Sequence, residues 1–254
     1  MKLMSSKDKF TNKVEDYIKY RPSYPKELID YLEIEVGLAN SSIVADVGAG
    51  TGILTKILAN KVGKVFAVEP NFNMRTACIQ YCSELSNFVA VDGSAEDTNL
   101  SDKSVDFVTV AQAFHWFDRQ KTRTEFQRIL KPKGKVILIW NSRVPESELI
   151  KENDELCRLL CPEFTGFSGG SGFSPSLYSD FFKNGYCEYR EFDNNRLLTL
   201  ESYIGSSLSA SYAPSEKDEN YKGFIDGLTH LFNKYSNNGV LLLPNKTRCY
   251  VGEV

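Results

Sequence analysis

The chain has 254 residues, of which 42% are hydrophobic, 25% charged and 12% aromatic, and its formal net charge is −3. This composition is typical of a globular protein and excludes a disordered or fibrous chain, while the acidic balance argues against a nucleic-acid partner. The longest unbroken apolar run, residues 136–140, is too short to span a bilayer. Because residues 1–10 contain no apolar signal region, we expect a cytoplasmic protein with no membrane partner.

Short apolar segments alternate with segments of helical periodicity in the first part of the chain. The apolar segments, which we predict as strands, are residues 43–47, 64–69, 88–91, 105–111 and 136–140. Helices are predicted after Gly52, over residues 71–85, and after Asp118, whose side chain can cap a helix N-terminus. Strands that alternate with helices in this way predict a doubly wound α/β fold, with a mostly parallel sheet covered on both faces.

The alternation ends after residue 141, and residues 142–238 are predicted to form a helical lid inserted in the C-terminal half. Helices in this region are predicted at residues 147–160, near 177–182 and at 216–235. A sixth strand is predicted near residues 186–198, and residues 239–254 are predicted as a closing strand of the core sheet. The glycine-rich loop near residues 166–172 is either a hinge or a plain surface linker.

The cysteines do not form a recognisable metal-binding motif. Two pairs have a spacing of four residues inside predicted helices, Cys78 with Cys82 and Cys157 with Cys161. Zinc sites usually have a tighter spacing and further cysteine or histidine ligands, and neither histidine lies near these pairs in sequence. We therefore interpret the cysteines as reduced structural thiols and expect no metal.

The strongest functional signal is the sequence VADVGAGTGI at residues 44–53. Gly48, Gly50 and Gly52 follow a predicted strand and open a helix, which is where doubly wound sheets bind their ligands. Nicotinamide and flavin sites have the spacing G-x-G-x-x-G, but here the third glycine comes one residue early, and Asp46 would repel a pyrophosphate. A ligand with an ammonium group and no phosphate suits this acidic loop, and S-adenosylmethionine is such a ligand.

Two further strand ends complete a candidate nucleoside site. Glu69 ends the second predicted strand, where a carboxylate can accept hydrogen bonds from both ribose hydroxyls and would exclude a 2′-phosphate. After the third strand, the backbone amide of Ala95 can donate to an adenine, and Ser94 or Glu96 can contact its exocyclic amine. The alternative for this last stretch is a plain polar turn.

The motifs VADVGAGTGIL, FAVEPN, SAE and LKPKGKV together resemble those of class I S-adenosylmethionine-dependent methyltransferases. More narrowly, AQAFHWFD and DYIKYRPSYP are similar to the type 11 group that includes trans-aconitate methyltransferase-like proteins, and TLESYIGSSLSASYAP resembles the lid of that group. The resemblance covers residues 10–141 well. It implies a Rossmann-like seven-stranded sheet, S-adenosylmethionine as cofactor with S-adenosylhomocysteine as product, a cofactor-binding core over residues 41–141, and a cofactor-covering segment over residues 1–40.

The resemblance also implies roles for individual residues. Asp46, Gly48 and Gly50 would line the methionine half of the cofactor, and the backbone at Ala111 would face its amino group. Arg21 would pair with the methionine carboxylate, a geometry that the guanidinium favours, and Ser94 stands where the group often has aspartate. The candidate cofactor contacts are Tyr17, Arg21, Asp46, Gly48, Ala49, Gly50, Thr51, Gly52, Glu69, Pro70, Ser94, Ala95, Glu96 and Ala111.

Methyl transfer is an in-line displacement that requires an aligned nucleophile and the exclusion of water. A carboxylate acceptor is already ionised at neutral pH, whereas a hydroxyl, an amine or an acidic carbon benefits from a general base. His115, just past the fourth predicted strand, is the candidate base, with a structural hydrogen-bonding role as the alternative. His115 and Trp116 are the candidate acceptor contacts, and core packing is the alternative for Trp116.

The leading hypothesis is therefore a methyltransferase that acts on a small molecule, with an organic acid as one acceptor class, as a monomer or homodimer. A cofactor-binding regulatory protein without turnover is the first alternative. A nucleic-acid methyltransferase is the second, although the chain has no Asn/Asp-Pro-Pro-aromatic motif after the fourth predicted strand. A nicotinamide enzyme is the third, and the glycine spacing argues against it.

Overall fold

A computed structural model describes residues 22–167 and 174–254. The predicted cofactor contacts Tyr17 and Arg21, and most of the glycine-rich loop near residues 166–172, lie outside the described residues. The strands are β1 (Ile43–Val47), β2 (Lys64–Val68), β3 (Phe88–Val91), β4 (Val105–Ala111), β5 (Leu130–Arg143), β6 (Glu188–Asp193), β7 (Arg196–Leu198), β8 (Leu241–Leu243) and β9 (Asn245–Gly252). The helices are α1 (Lys26–Tyr31), α2 (Ile53–Ala59), α3 (Phe72–Tyr81), α4 (Arg119–Ile129), α5 (Glu148–Leu160), α6 (Leu200–Leu208) and α7 (Tyr221–Tyr235).

The main sheet has seven strands in the order β3-β2-β1-β4-β5-β9-β6. The pairs from β3 to β5 are parallel, whereas β9 runs antiparallel to both β5 and β6. The predicted doubly wound, mostly parallel seven-stranded fold is confirmed. Because the strand order reverses between β1 and β4, their carboxyl ends flank the crevice in which such sheets bind ligands.

Both faces of the central strand β5 are buried, which explains why residues 136–140 form a continuous apolar run rather than an alternating pattern. Along β5, Leu138 and Trp140 belong to one core cluster, and Ile137 and Ile139 belong to the cluster on the opposite face. This alternation follows from the two-residue side-chain period of a strand. The predicted strand at residues 136–140 is therefore the buried centre of a longer strand.

Helices α3 and α4 begin at side chains that cap their N-termini. The Asn71 side chain accepts a hydrogen bond from the Met74 N–H at the start of α3, and Asp118 accepts from the N–H groups of Gln120 and Lys121 at the start of α4. Each side chain satisfies backbone donors that have no partner within the helix. The predicted cap at Asp118 is confirmed by this geometry.

The region after β5 contains a third cluster of buried side chains, formed by α5, α6, α7 and the two-stranded sheet of β7 and β8. We call this region the lid. The segment predicted as one strand near residues 186–198 forms two strands, β6 in the main sheet and β7 in the lid sheet. Asn194 and Asn195 separate them, because the Asn194 N–H donates to the Asn245 carbonyl and the Asn195 side chain accepts from the Asn245 N–H.

The C-terminal segment, which was also predicted as one strand, is likewise divided between the two sheets. Residues 239–254 contain β8 of the lid sheet and β9 of the main sheet, and the predicted short helix near residues 177–182 is a 3₁₀ turn at Ser179–Phe181. Within the described ranges, no helix has the length and apolar character needed to cross a membrane. The boundaries predicted at residues 40, 141 and 238 stay predictions.

Candidate functional site

The glycine loop between β1 and α2 has a backbone that side chains would obstruct. Gly48, Gly50 and Gly52 have φ angles of +71°, +58° and +86°. A Cβ on Gly48 would lie 2.6 Å from the Ala113 Cβ, and one on Gly52 would lie 2.7 Å from the Cys78 Sγ. A Cβ on Gly50 would meet no atom within 4 Å. Gly48 and Gly52 therefore permit close packing, whereas Gly50 borders open space.

The Glu69 carboxylate at the end of β2 is held by this loop. The Gly50 N–H donates to its Oε2 at 2.9 Å, and the Asn71 N–H donates to its Oε1 at 2.8 Å. The Arg75 Nη1 donates to the Glu69 carbonyl at 2.6 Å, and the side chain of Glu69 is buried. Backbone donors thus fix the orientation of a carboxylate at the edge of the crevice.

A second buried carboxylate, Asp46, lies at the end of β1. Its oxygens accept hydrogen bonds from the Thr55 hydroxyl at 2.6 Å and the Thr109 hydroxyl at 2.9 Å. Burial raises the pKa of Asp46 to about 6, and the nearby Glu69 acts in the same direction, while the hydroxyl donors oppose the shift. At neutral pH, Asp46 is therefore a buried anion that a neighbouring cation would stabilise.

A small cleft joins these groups at the carboxyl ends of β1 and β4. Six of the predicted cofactor contacts line it: Asp46, Gly48, Ala49, Gly50, Thr51 and Ala111. Its other lining residues are Tyr24, Ile53, Leu54 and Gln112. The structure thus brings the predicted loop and Ala111 together, because the ends of adjacent parallel strands meet at one edge of a sheet.

Gln112 is a cleft residue that sequence reasoning did not propose. It has a φ of +61°, which is uncommon for a residue other than glycine. Its N–H donates to the Ile139 carbonyl at 2.9 Å, and its Nε2 donates to the Asn141 carbonyl at 3.0 Å. These bonds to β5 hold the strained backbone at the end of β4, and no local sequence pattern signals them.

Asn141 also anchors the segment that contributes Tyr24 to the cleft. Its Nδ2 donates to the Ser23 carbonyl at 3.2 Å, and the Nδ2 of Asn194 donates to the same carbonyl at 3.0 Å. The Thr247 hydroxyl donates to the Asn141 Oδ1. The ends of β5, β6 and β9 thereby position the chain that precedes α1.

The predicted adenine turn follows β3, and its side chains are used within the fold. The Ser94 N–H donates to the Asp97 carbonyl at 2.8 Å, and Ala95 is buried. The Glu96 Oε1 accepts the Asp118 N–H at 2.9 Å, next to the start of α4. Pro70 follows Glu69 and is half-buried. The adenine and cofactor roles of these residues stay predictions.

Comparison with known proteins gives a consistent family. Residues 45–138 match the methyltransferase domain family. An uncharacterised methyltransferase-like protein of Schizosaccharomyces pombe is 31% identical over 251 residues, which cover 96% of this chain and 94% of that protein. This chain belongs to the class I S-adenosylmethionine-dependent methyltransferases.

A second relative and a solved structure are also similar to this chain. An uncharacterised methyltransferase of Mycobacterium tuberculosis is 40% identical over 147 residues, 58% of each chain. A solved structure from Anaeromyxobacter dehalogenans, assigned as a type II methyltransferase, has a TM-score of 0.69 and 21% identity over 92% of this chain and 98% of that one. This second likeness shows that the methyltransferase fold is shared.

The cleft of this methyltransferase fits its cofactor by three observations. The position of a Cβ on Gly50 is open, so the loop backbone can approach a ligand. The Thr51 hydroxyl is buried and has no hydrogen-bond partner among the described residues. Asp46 has no ion-pair partner within residues 22–167 and 174–254, and the cofactor carries both an ammonium and a sulfonium group.

The candidate acceptor residues of the methyltransferase follow β4 in the 3₁₀ turn Phe114–Trp116. Phe114 is fully buried and anchors this turn, whereas His115 is exposed and Trp116 is 47% exposed. The two exposed rings lie 4.7 Å apart between centroids, and neither residue lines the small cleft. Partial desolvation lowers the pKa of His115, so its ring is neutral at neutral pH. The exposure of Trp116 argues against core packing.

Metal ligation finds no support in the described part of the methyltransferase. No group of three or more histidine, cysteine, aspartate or glutamate side chains there has the geometry to hold a metal ion. Five of the six cysteines are buried free thiols and Cys187 is half-buried.

Proposed function

We propose that this methyltransferase transfers the methyl group of S-adenosylmethionine to a small organic acid, and that it belongs to the trans-aconitate methyltransferase-like part of the type 11 group. The observation that carries the cofactor part is the pairing of the Gly50 N–H with the buried Glu69 carboxylate beside the open cleft. The net charge of −3 argues against a nucleic-acid acceptor. The motif AQAFHWFD, which resembles that of the trans-aconitate methyltransferase-like proteins, supports a small organic acid.

Three residues at this edge of the sheet have a defined task in this proposal. Glu69, oriented by two backbone donors, accepts the ribose hydroxyls. Asp46 supplies a buried negative charge for the methionine half, and Ala111 offers its backbone to the amino group. The cofactor supplies a methyl group activated by a sulfonium. The chain positions the acceptor and keeps water out of the site.

The chemistry of the acceptor decides whether a base is needed. A carboxylate acceptor is ionised at neutral pH, so transfer to it needs no proton removal. In this proposal His115 and Trp116 contact the acceptor, and His115 takes no proton from it. We further propose a cytoplasmic monomer or homodimer whose only partners are the cofactor and the acceptor.

Calorimetric titration of S-adenosylhomocysteine into the wild type, Glu69→Ala and Glu84→Ala tests the cofactor site. Glu84 is the matched control because it is an exposed carboxylate paired with Lys56 at 2.6 Å. We expect Glu69→Ala to weaken binding at least about 10-fold, which is about 1.4 kcal/mol, and Glu84→Ala to leave it unchanged. Absence of binding to folded wild-type protein would overturn the proposal.

The acceptor is tested next, by incubating the protein and S-adenosylmethionine with a panel of organic acids, small phenols and amines. Mass spectrometry of the products identifies the methylated compound. Methyl esters of organic acids are the expected products. Methylation of phenols or amines alone would contradict the acceptor class, and cofactor binding without any product would favour a regulatory protein.

A further inference from the structure

A second cavity lies at the junction of β5 and the lid, outside the cofactor cleft. Its volume is about 750 Å³, which is in the range of small-molecule sites. Arg143 from the end of β5, Ile150 and Lys151 from α5, and Phe167 contribute to its lining. The cavity therefore has an apolar wall, one cationic side chain from the end of β5, and charged side chains of both signs from α5.

Arg143 is the cation of this cavity that lacks an anionic partner among the described residues. Its Nη1 is buried and makes no hydrogen bond there, and its guanidinium lies 4.0 Å from the centroid of the Phe167 ring. The sequence of residues 168–173, SGGSGF, contains no carboxylate. A buried guanidinium nitrogen without an acceptor costs free energy, which a bound anion would recover.

The other cations that line the cavity are already neutralised. Arg158 pairs with Asp154 one helical turn away, and Lys151 pairs with Glu148 at 2.7 Å. Glu155 also lines the cavity and is exposed. Arg143 is thus the group in this cavity with an unused capacity for an anion.

The register of the sheet relates Arg143 to the cofactor cleft. Ala111 of β4, which lines that cleft, pairs with Ile139 of β5. Arg143 is four residues further along β5, on the same face as Ile139, and the pairing with β9 continues without a bulge between them. Four residues of strand span about 13 Å. Arg143 therefore lies beyond the cleft, in the direction in which the strand leaves it.

We propose that Arg143 binds a carboxylate of the methyl acceptor that is remote from the atom that is methylated. This inference rests on the proposed function, and it narrows the acceptor to a molecule with at least two polar ends. The guanidinium can donate two parallel hydrogen bonds to a carboxylate, and the Phe167 ring supports its plane. The acceptor would thus be held at one end while the other end faces the cofactor.

The test uses the straight-chain dicarboxylate adipate as the probe, its neutral diamide as the control, and protein saturated with S-adenosylhomocysteine. Calorimetry compares the wild type with Arg143→Gln, Arg143→Lys and Arg158→Gln. We expect adipate to bind and the diamide not to bind. Arg143→Gln should weaken adipate at least about 10-fold, Arg143→Lys should weaken it less, and Arg158→Gln, the paired arginine of the same cavity, should change it less than about 2-fold.

The affinity for S-adenosylhomocysteine distinguishes the possible failures. It should be equal in all variants, which also shows that they are folded. If wild-type protein binds S-adenosylhomocysteine but not adipate, or binds adipate equally well after Arg143→Gln, the inference is wrong and the proposed function stands. If it does not bind S-adenosylhomocysteine, both are overturned. Binding of inorganic phosphate in place of adipate, lost in Arg143→Gln, would contradict the choice of a carboxylate.

Discussion

The cofactor cleft and the lid of this methyltransferase are built in different ways. At the cleft, backbone groups and buried carboxylates lie next to one another, as the Gly50 N–H and the Glu69 carboxylate show. In the lid, a cluster of apolar side chains from α5, α6 and α7 encloses a few polar pairs, such as the Asn153 Nδ2 that donates to the Tyr203 hydroxyl at 2.6 Å. The backbone groups and carboxylates of the cleft require particular residues. The apolar packing of the lid requires mainly side chains of suitable size and polarity.

This difference explains why the cofactor can be identified from sequence and the acceptor cannot. A glycine with a positive φ that borders a ligand has few substitutes. A buried leucine or phenylalanine in the lid can be exchanged for another apolar residue of similar volume. The lid cluster is also distinct from the two clusters that flank the main sheet. We therefore expect the two regions to respond separately to substitution.

The substitution with the largest expected effect is Phe224→Ala in the lid. It tests whether the lid and the cleft respond separately to substitution. Phe224 is fully buried in the lid cluster, so the cavity left behind should lower the free energy of unfolding by about 3–5 kcal/mol. The affinity for S-adenosylhomocysteine should change less than about 2-fold, because the residues that line the cleft are not part of the lid cluster. Chemical denaturation and calorimetry measure the two quantities.

The matched control is Phe126→Ala, an equally buried phenylalanine of α4 in the main-sheet cluster against which Ala113 and Phe117, the neighbours of Gly48, pack. It should cost about the same stability, roughly 3–5 kcal/mol, and should also weaken S-adenosylhomocysteine. If Phe224→Ala reduces cofactor affinity as much as Phe126→Ala does, the two regions form one cooperative unit and the comparison fails.

The next effect separates packing from ligand approach within the glycine loop. A Cβ on Gly48 would overlap the Ala113 side chain, so Gly48→Ala should cost about 2–3 kcal/mol of stability. Gly50→Ala places its Cβ in open space, so it should cost only about 1–2 kcal/mol for the positive φ. Its main effect should be to weaken cofactor binding at least about 10-fold.

Thermal unfolding and calorimetry with S-adenosylhomocysteine distinguish the two alanine variants. A large loss of stability in Gly50→Ala without a change in affinity would mean that the cofactor does not approach the loop at this residue.

A smaller effect of opposite sign is expected for Asp46→Asn. The pKa of Asp46 is raised to about 6 by burial, so the folded state retains a proton that the unfolded state has already lost. By linkage, this stabilising contribution is present below the ordinary aspartate pKa of about 3.9 and is lost as the pH rises through about 6. Asp46→Asn should therefore stabilise the protein at pH 7.5 by about 1–2 kcal/mol relative to the wild type, and should weaken the cofactor.

Denaturation of both proteins at pH 4.5 and pH 7.5 measures this difference, and Thr55→Val removes one hydroxyl donor as a control. The stability advantage of Asp46→Asn should grow with pH across this interval. An advantage that is constant or that shrinks would show that Asp46 does not retain its proton in the folded state.

The contrast between the main sheet and the lid also describes which parts of the fold can be predicted from the sequence. Strands β1, β3 and β4 have the predicted bounds, because each is a short, mostly apolar segment between polar turns. The prediction was wrong where Asn194 and Asn195 divide one extended segment between two sheets. The Asn194 N–H and the Asn195 side chain bond to Asn245, which is about 50 residues away in the chain, and no local pattern encodes such a contact.

Some residues of the candidate site can be predicted from the sequence, and others cannot. The loop residues and Ala111 converge because strand order alone determines which strand ends are neighbours. Gln112 and Asn141 were not predicted, because their amide groups act through carbonyls of distant segments. Arg143 looks unremarkable in the sequence, and what sets it apart is a buried Nη1 with no hydrogen-bond partner within residues 22–167 and 174–254.

The smallest expected effect is that of His115→Asn. This substitution tests whether methyl transfer requires only a positioned acceptor or also a general base. A transfer to a carboxylate needs no base, so His115→Asn should lower the single-turnover rate less than about 3-fold, whereas loss of a general base typically costs about 10²–10⁴-fold. The pKa of His115 is lowered by partial desolvation, so a base role would produce a rate that falls as acid protonates the ring.

The measurement is the single-turnover rate of wild type and His115→Asn between pH 5 and pH 8, with the acceptor from the screen. The two plots of rate against pH should have the same shape. A wild-type decrease at acid pH that His115→Asn abolishes would make His115 the base and would replace the carboxylate with a hydroxyl, amine or carbon acceptor.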